Sequence, residues 1–264
     1  MEYELNADGS GVIFKIEKRQ NYISRKAPRI RGASYRGERL EQIIASNIDS
    51  LFVVGSVAEP AFNNKTIDRL LVIGESAGLT PYIIINKTDL DTENQIDYWI
   101  NLYKSTGYQV FKTSIISGNG IQELKDQLKG KTNLFFGHSG VGKSSLLNEM
   151  YSELNLKVGE ISSFTDKGTH TTVTSVMIKV DDSTFVIDTP GIREIDPFGI
   201  RKEDVGHYFI EFSDYSPECK FNTCTHFHEP GCAIIKAVEE GKISSQRYES
   251  YLKILETVEE DILF

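Results

Sequence analysis

Between Asp49 and Leu154 the chain alternates short apolar runs with longer segments whose apolar residues return every three or four positions. DSLFVVGSV, Asp49 to Val57, is short and nearly all apolar, the pattern of a strand buried on both faces. A helical spacing follows from about Thr66 to Gly78, and PYIIINKTDL is a second apolar strand running into a polar loop. Glu93 to Thr106 predicts a helix, YQVFKTS a strand, and Ile121 to Leu128 another helix. NLFFGHSG is a strand opening into a glycine-bearing loop, and Lys143 to Leu154 is the helix after it. Strands and helices in alternation predict an α/β domain, a parallel sheet with helices on both faces. VTSVMIKVDDSTFVIDTPG then supplies two strands, joined at VDDS as a hairpin.

The two ends read differently. The first 40 residues alternate polar and apolar positions, which predicts one or two strands, and then become arginine-rich. From about Arg201 the pattern predicts a helix, a Cys/His cluster and two further helices, AIIKAVEEG and SSQRYESYLKILETVEED. These changes divide the chain into residues 1–45, 46–200 and 201–264.

Charge sharpens this division. The chain of 264 residues carries −9 overall, yet Lys15 to Arg39 holds nine basic residues against two acidic ones. That stretch is +7 and the remainder −16, a basic segment on an acidic body, which suits a phosphate-rich partner such as RNA. No apolar run approaches the ~18 residues that span a bilayer, and MEYELNADGS lacks the basic start and apolar core of a secretory signal. A cytoplasmic protein with no membrane partner, acting as a monomer, is expected. The three cysteines, Cys219, Cys224 and Cys232, are close together and odd in number, a pattern of metal ligation rather than disulfides.

The chemistry is concentrated in five loops and the Cys/His tail. GHSGVGKSS, comprising Gly137, His138, Ser139, Gly140, Val141, Gly142, Lys143, Ser144 and Ser145, fits the phosphate-binding loop G-x-x-x-x-G-K-[ST]. Its glycines turn backbone N–H groups toward phosphates, Lys143 reaches the β- and γ-phosphates, and the Ser144 hydroxyl can bind Mg²⁺. A helix starting there presents the positive end of its dipole. NKTD, Asn86, Lys87, Thr88 and Asp89, decides the base. The Asp89 carboxylate can accept hydrogen bonds from guanine N1–H and its 2-amino group; adenine offers no such pair and would leave a buried carboxylate unsatisfied. Asn86 would brace the loops and the Lys87 stem would cover the base. TSIISGNG resembles an auxiliary guanine loop through Ser114 and the backbone near Ile115.

DTPG follows the strand TFVI, so Asp188 can join the Mg²⁺ shell and the Gly191 N–H can face the γ-phosphate. Ile192, Arg193 and Glu194 come next, with no glutamine to orient the attacking water. KGTHTTVT lies where a switch segment belongs. Thr171 or Thr172 could ligate Mg²⁺ there, Thr171 being the expected one, and His170 could orient the water. A bland reading of His170 is a solvent-exposed loop residue. In the tail, Cys219, Cys224, His226 and Cys232 supply the three thiolates and one imidazole of a closed, structural Zn²⁺ site, with His228 and His207 as competitors for the nitrogen position.

The guanine motif precedes the phosphate loop here, whereas an ordinary GTPase has the phosphate loop first. The order is that of a circular permutation, and it is physically harmless because every motif lies at the carboxyl end of a strand. Its consequence is that the second switch feeds directly into the Cys/His tail. With NKTD, GHSGVGKSSLLN, GTHTT, DTPGIRE and CKFNTCTHFHEPGCAI together, the chain resembles the ribosome small-subunit-dependent GTPase A (RsgA/YjeQ) family over nearly its whole length. The resemblance implies a circularly permuted P-loop GTPase domain, a partial N-terminal OB-like segment and a C-terminal helical zinc-binding module. It implies hydrolysis of GTP to GDP, stimulated by the 30S ribosomal subunit and its rRNA, late in assembly of that subunit, with departure after hydrolysis. It also places the family's proposed catalytic histidine on His170, beside Lys143 and Thr171, and the zinc ligands on Cys219, Cys224, His226 and Cys232. The chain departs from the family pattern at its start, where GSGVIFKIEKRQNYISRKAPR matches only the end of a five-stranded OB domain.

Overall fold

The computed structural model describes residues 2–6, 8, 10–26, 41–154, 156, 175–189 and 198–258. The N-terminal stretch forms β1 (Glu2–Leu5), β2 (Gly11–Lys15), β3 (Tyr22–Lys26) and β4 (Glu41–Ser46). The alternation in the first 40 residues predicts one or two strands; among the described residues there are three, with β4 just beyond, and β1 pairs with β2 and β3 with β4, both antiparallel. The β1–β2 hairpin exposes every side chain, whereas Ile23 of β3 and Ala45 of β4 are buried in the main core.

The central sheet contains β5 (Ser50–Ser56), β6 (Pro81–Asn86), β7 (Gln109–Lys112), β8 (Thr132–Gly137), β9 (Val176–Lys179) and β10 (Phe185–Asp188), in the order β7-β6-β5-β8-β10-β9. All pairs are parallel except β9 with β10, the expected hairpin. That turn is held by Asp181, whose carboxylate accepts from the N–H of Ser183 and Thr184 at 2.9 and 2.7 Å.

Strand periodicity sorts the core. Leu51 and Val53 of β5 face a cluster with Ile67, Leu71, Ile100 and Tyr103, while Phe52 and Val54 face Leu124, Leu128, Leu146 and Leu147. The helices behind these residues are α1 (Asn64–Ser76) and α2 (Ile96–Ser105) on one face, α3 (Ile121–Leu128) and α4 (Lys143–Met150) on the other. The helix α1 begins before Thr66 because the Asn63 side chain caps it, accepting from the Thr66 N–H at 3.1 Å. Its Gly74 permits close approach to the sheet: a Cβ there would lie 2.5 Å from Leu51 Cδ2. The helix predicted to reach Leu154 ends at Met150. Asn148 turns the chain by donating to the Leu156 carbonyl and accepting from its N–H, both at 2.8 Å.

The tail builds a third cluster around Phe209, Phe212, Ile234, Tyr251 and Ile254, which also takes in Val72 of α1. Where a helix is predicted after Arg201, the chain instead makes three short 3₁₀ turns, Lys202–Tyr208, Ile210–Phe212 and Ser216–Glu218. Gly206, in the first, has no side chain because the His226 ring occupies its space; a Cβ would lie 2.9 Å from His226 Cδ2. α5 (Ala233–Glu239) and α6 (Ser245–Thr257) complete the tail. No described helix is long and apolar enough to cross a membrane.

Candidate functional site

The carboxyl ends of β8, β10, β6 and β7 bring together loops that are up to a hundred residues apart in the chain, and the loop after β8 lies at their centre. A Cβ on Gly137 would sit 2.3 Å from the Val54 carbonyl oxygen, so the strand end tolerates no side chain. Gly140 and Gly142 have φ of 85° and 96°, in the left-handed region that glycine enters without strain. Lys143, 6% exposed, folds over the loop, and its ammonium donates to the carbonyls of Gly137 and His138 at 2.9 and 3.1 Å. Burial holds this ammonium below the usual lysine range, and the Asp188 carboxylate partly offsets the effect. His138 Nδ1 lies 3.0 Å from the Ser139 carbonyl, and Ser145 is half-buried in the first turn of α4.

Ser144 Oγ donates to Asp188 Oδ2 at 2.9 Å. Burial raises the Asp188 carboxyl above its usual range, against the Ser144 hydrogen bond and the charge of Lys143. Its other oxygen, Oδ1, is buried with no hydrogen-bond partner among the described residues. An orphaned carboxylate oxygen beside a serine hydroxyl is a donor set that fits a hard divalent cation.

Asn86, 1% exposed, joins the phosphate loop to the guanine motif. Its Nδ2 donates to the Val141 carbonyl at 2.9 Å, and its Oδ1 accepts from Thr113 Oγ1 at 3.0 Å. Gly142 must be glycine for the same reason, since a Cβ there would meet Asn86 Nδ2 at 2.4 Å. Thr88 donates from both N and Oγ1 to the Thr113 carbonyl, at 3.2 and 3.1 Å. Ser114 Oγ donates to Asp89 Oδ1 at 2.5 Å, so the fully buried serine aims the exposed carboxylate. Sequence reasoning assigns Ser114 to an auxiliary loop but gives no hint of this contact or of Thr113, because both link residues 25 or more positions apart.

In the tail, the ligand atoms of Cys219, Cys224, His226 and Cys232 lie within 4.8 Å of one another and could hold a metal ion. His226 Nδ1 is 3.6 Å from Cys219 Sγ and 3.4 Å from Cys232 Sγ, and those sulfurs are 4.0 Å apart. His207 and His228 are exposed and outside this group. Burial pushes the Cys224 thiol up to about 12 and raises Cys232 as well, so thiolates at these two positions are disfavoured without a cation beside them. The loop is braced from behind. Glu229 accepts from the N–H groups of Thr225, Phe227 and His228, and these bonds with the Thr225 hydroxyl outweigh its burial and hold its carboxyl at about 2.

His170, Thr171, Thr172 and Gly191 lie outside the described residues, as do Arg29, Arg31, Arg36 and Arg39 of the basic segment. Of the segment's described cations, Lys26 is buried and Lys15 pairs with Glu2 and Glu17 at 3.1 and 2.6 Å.

A family profile described as RsgA GTPase matches residues 16–198. The small ribosomal subunit biogenesis GTPase RsgA of Chlorobaculum parvum is 41% identical over 250 residues, covering 95% of this chain and 79% of that protein. The protein of the same name from Phocaeicola vulgatus is 43% identical over 259 residues, covering 97% of this chain and 81% of its own. Among solved structures, YjeQ from Thermotoga maritima superposes with a TM-score of 0.75 at 34% identity over 96% of this chain and 81% of that one. YloQ, described as a circularly permuted GTPase, superposes at 0.70 with 28% identity, over 97% and 78% of the two chains. The sequence matches and the permuted order of the loops agree: the chain belongs to the RsgA GTPase family.

Proposed function

We propose that this chain binds GTP at the carboxyl edge of its sheet, hydrolyses it to GDP and phosphate, and acts on the 30S ribosomal subunit late in that subunit's assembly. The observation that carries the reading is Asn86, which locks a guanine-type loop to a phosphate-type loop through Val141 and to the loop after β7 through Thr113. Asp89, aimed by Ser114, reads the guanine edge, and Lys87 covers the base. The backbone from Gly137 to Ser145, with Lys143, cradles the phosphates.

Ser144 and Asp188 would hold Mg²⁺, with Thr171 added from the switch segment, and the ion would supply charge neutralisation at the phosphates. His170 is the proposed water-orienting residue, since no glutamine follows Gly191. The Gly191 N–H would face the γ-phosphate. The tail cluster is proposed to hold one structural Zn²⁺. Tetrahedral zinc with these ligands separates sulfurs by about 3.8 Å and sulfur from nitrogen by about 3.5 Å, close to the three spacings among Cys219, His226 and Cys232, with the whole group spread over up to 4.8 Å. The basic segment and the tail are proposed to face rRNA, with residues 46–200 as the GTPase unit, 201–264 as the zinc unit and 1–45 as an OB-like segment with its basic linker. The support for a ribosomal partner is the name carried by the relatives and the charge asymmetry.

Co-sedimentation with purified 30S subunits tests this reading. Retention with a non-hydrolysable GTP analogue and release with GDP are expected; equal retention in both states, or none in either, would overturn it.

A further inference from the structure

We infer that the loop between β5 and α1, residues 57–63, is a positioning element of the nucleotide site that acts through Lys87. No nucleotide-binding motif covers this loop, yet it touches both of them. Val57 N donates to the Asn86 carbonyl at 3.0 Å, fastening the loop to the start of the guanine motif. Ser56 Oγ donates to the Pro60 carbonyl at 2.7 Å, and Phe62 N donates to the Val57 carbonyl at 3.2 Å, so the loop is closed on itself. On its other side it lies against the phosphate loop: a Cβ on Gly140 would be 3.5 Å from Pro60 Cδ. The Lys87 ammonium donates to the Glu59 carbonyl.

Lys87 has φ 60° and ψ 38°, a left-handed conformation that a lysine adopts only when its surroundings fix it. With the backbone fixed at one end and the ammonium anchored at the other, the aliphatic stem is stretched from the end of β6 to the β5–α1 loop. A lysine normally loses several rotameric degrees of freedom when it packs on a ligand; here they are lost before the ligand arrives. The ligand chemistry addressed is the face of a guanine base and its ribose. The phosphate number should not matter, so GDP and GTP gain equally. This inference rests on the reading of Asp89 and the phosphate loop as a guanine nucleotide site.

Ser56 is the point of attack, because it is 2% exposed, is not among the residues proposed to hold nucleotide or metal, and contributes one side-chain hydroxyl to the closure of the loop. Equilibrium binding of fluorescent GDP and GTP is measured for the wild type, Ser56→Ala, Lys87→Met, Lys87→Arg and the double variant Ser56→Ala/Lys87→Met. Lys87→Met keeps the stem and loses the anchor, and should weaken both nucleotides about tenfold, the worth of one charge-assisted hydrogen bond. Ser56→Ala should weaken both about threefold, raising KM for GTP with kcat unchanged. Lys87→Arg, which can still donate to the Glu59 carbonyl, should restore most of the affinity. The double variant should bind no worse than Lys87→Met alone, since the loop works through that side chain. Additive losses, an unaffected Ser56→Ala, or a loss that distinguishes GTP from GDP would overturn the inference. A wild type that binds neither nucleotide would instead reject the underlying site, so the two failures are distinguishable.

Discussion

Replacing Arg247 with methionine should detach the tail from the GTPase sheet at a large cost in stability. Arg247 lies on α6 and is 1% exposed. Its Nη1 donates to Asp68 Oδ1 of α1 at 2.6 Å, and its Nε and Nη2 donate to the two oxygens of Glu211 at 2.7 and 2.9 Å. Tyr103 of α2 donates to the same Asp68 oxygen at 2.8 Å, and the Phe209 ring lies 4.6 Å from the guanidinium carbon. One cation thus joins α1, α2, α6 and a 3₁₀ turn. Burial alone would lower the Arg247 pKa, but Asp68 and Glu211 raise it well above the ordinary value.

Methionine fills much of the stem volume but leaves Asp68, fully buried, facing Glu211 with no counter-charge. Breaking a buried pair in this way costs about 3–5 kcal/mol. At roughly 2–4 °C per kcal/mol for domains of this size, the melting midpoint should fall by about 6–20 °C. Urea unfolding followed by the single tryptophan is the assay, since Trp99 lies 6.4 Å from the Tyr103 ring. Adding Asp68→Asn and Glu211→Gln should recover most of the loss by removing the stranded charges. A loss under about 1 kcal/mol would refute the reasoning, because a pair worth so little behaves as an exposed one. So would a triple variant no more stable than Arg247→Met.

Asp89→Asn should weaken GTP about tenfold or more and admit xanthosine triphosphate, whose 2-oxo group suits an amide donor, as competition binding would show. Lys143→Ala should lower GTP turnover about 10²–10³-fold by removing a positive charge from the phosphate loop, measured as phosphate release at saturating GTP. Cys232→Ser should abolish the one expected equivalent of zinc in metal analysis and open the tail to proteolysis. In the wild type zinc affinity should fall as pH falls, because protons compete for the thiolates.

The sheet was legible because β5, β6 and β8 are continuous apolar runs, and because each motif is a loop at the end of such a run. The three cysteines of the tail cluster were legible from their spacing, which left His207 and His228 as competitors of His226, and the structure brings Cys219, Cys224, His226 and Cys232 together. What escaped is long-range and polar. Nothing near Ser114 says that its hydroxyl will meet Asp89, and Asp68, Arg247 and Glu211 are three ordinary surface types in a single sequence, buried only because two parts of the chain dock. Periodicity also overran the end of α4, where Asn148 turns the chain with its side chain, and misread residues 202–208, where Gly206 and the His226 ring favour 3₁₀ turns. The proposed catalytic residues His170 and Thr171 are outside the described residues, so their roles stand on the sequence.

Phosphate release from GTP by the intact chain, with and without purified 30S subunits, tests the central claim most directly. The account predicts slow hydrolysis alone, at least tenfold stimulation by 30S subunits on the scale of a catalytic contribution, no stimulation by 50S subunits, and no comparable turnover of ATP. Equal rates with and without 30S subunits, or ATP hydrolysed as well as GTP, would contradict it.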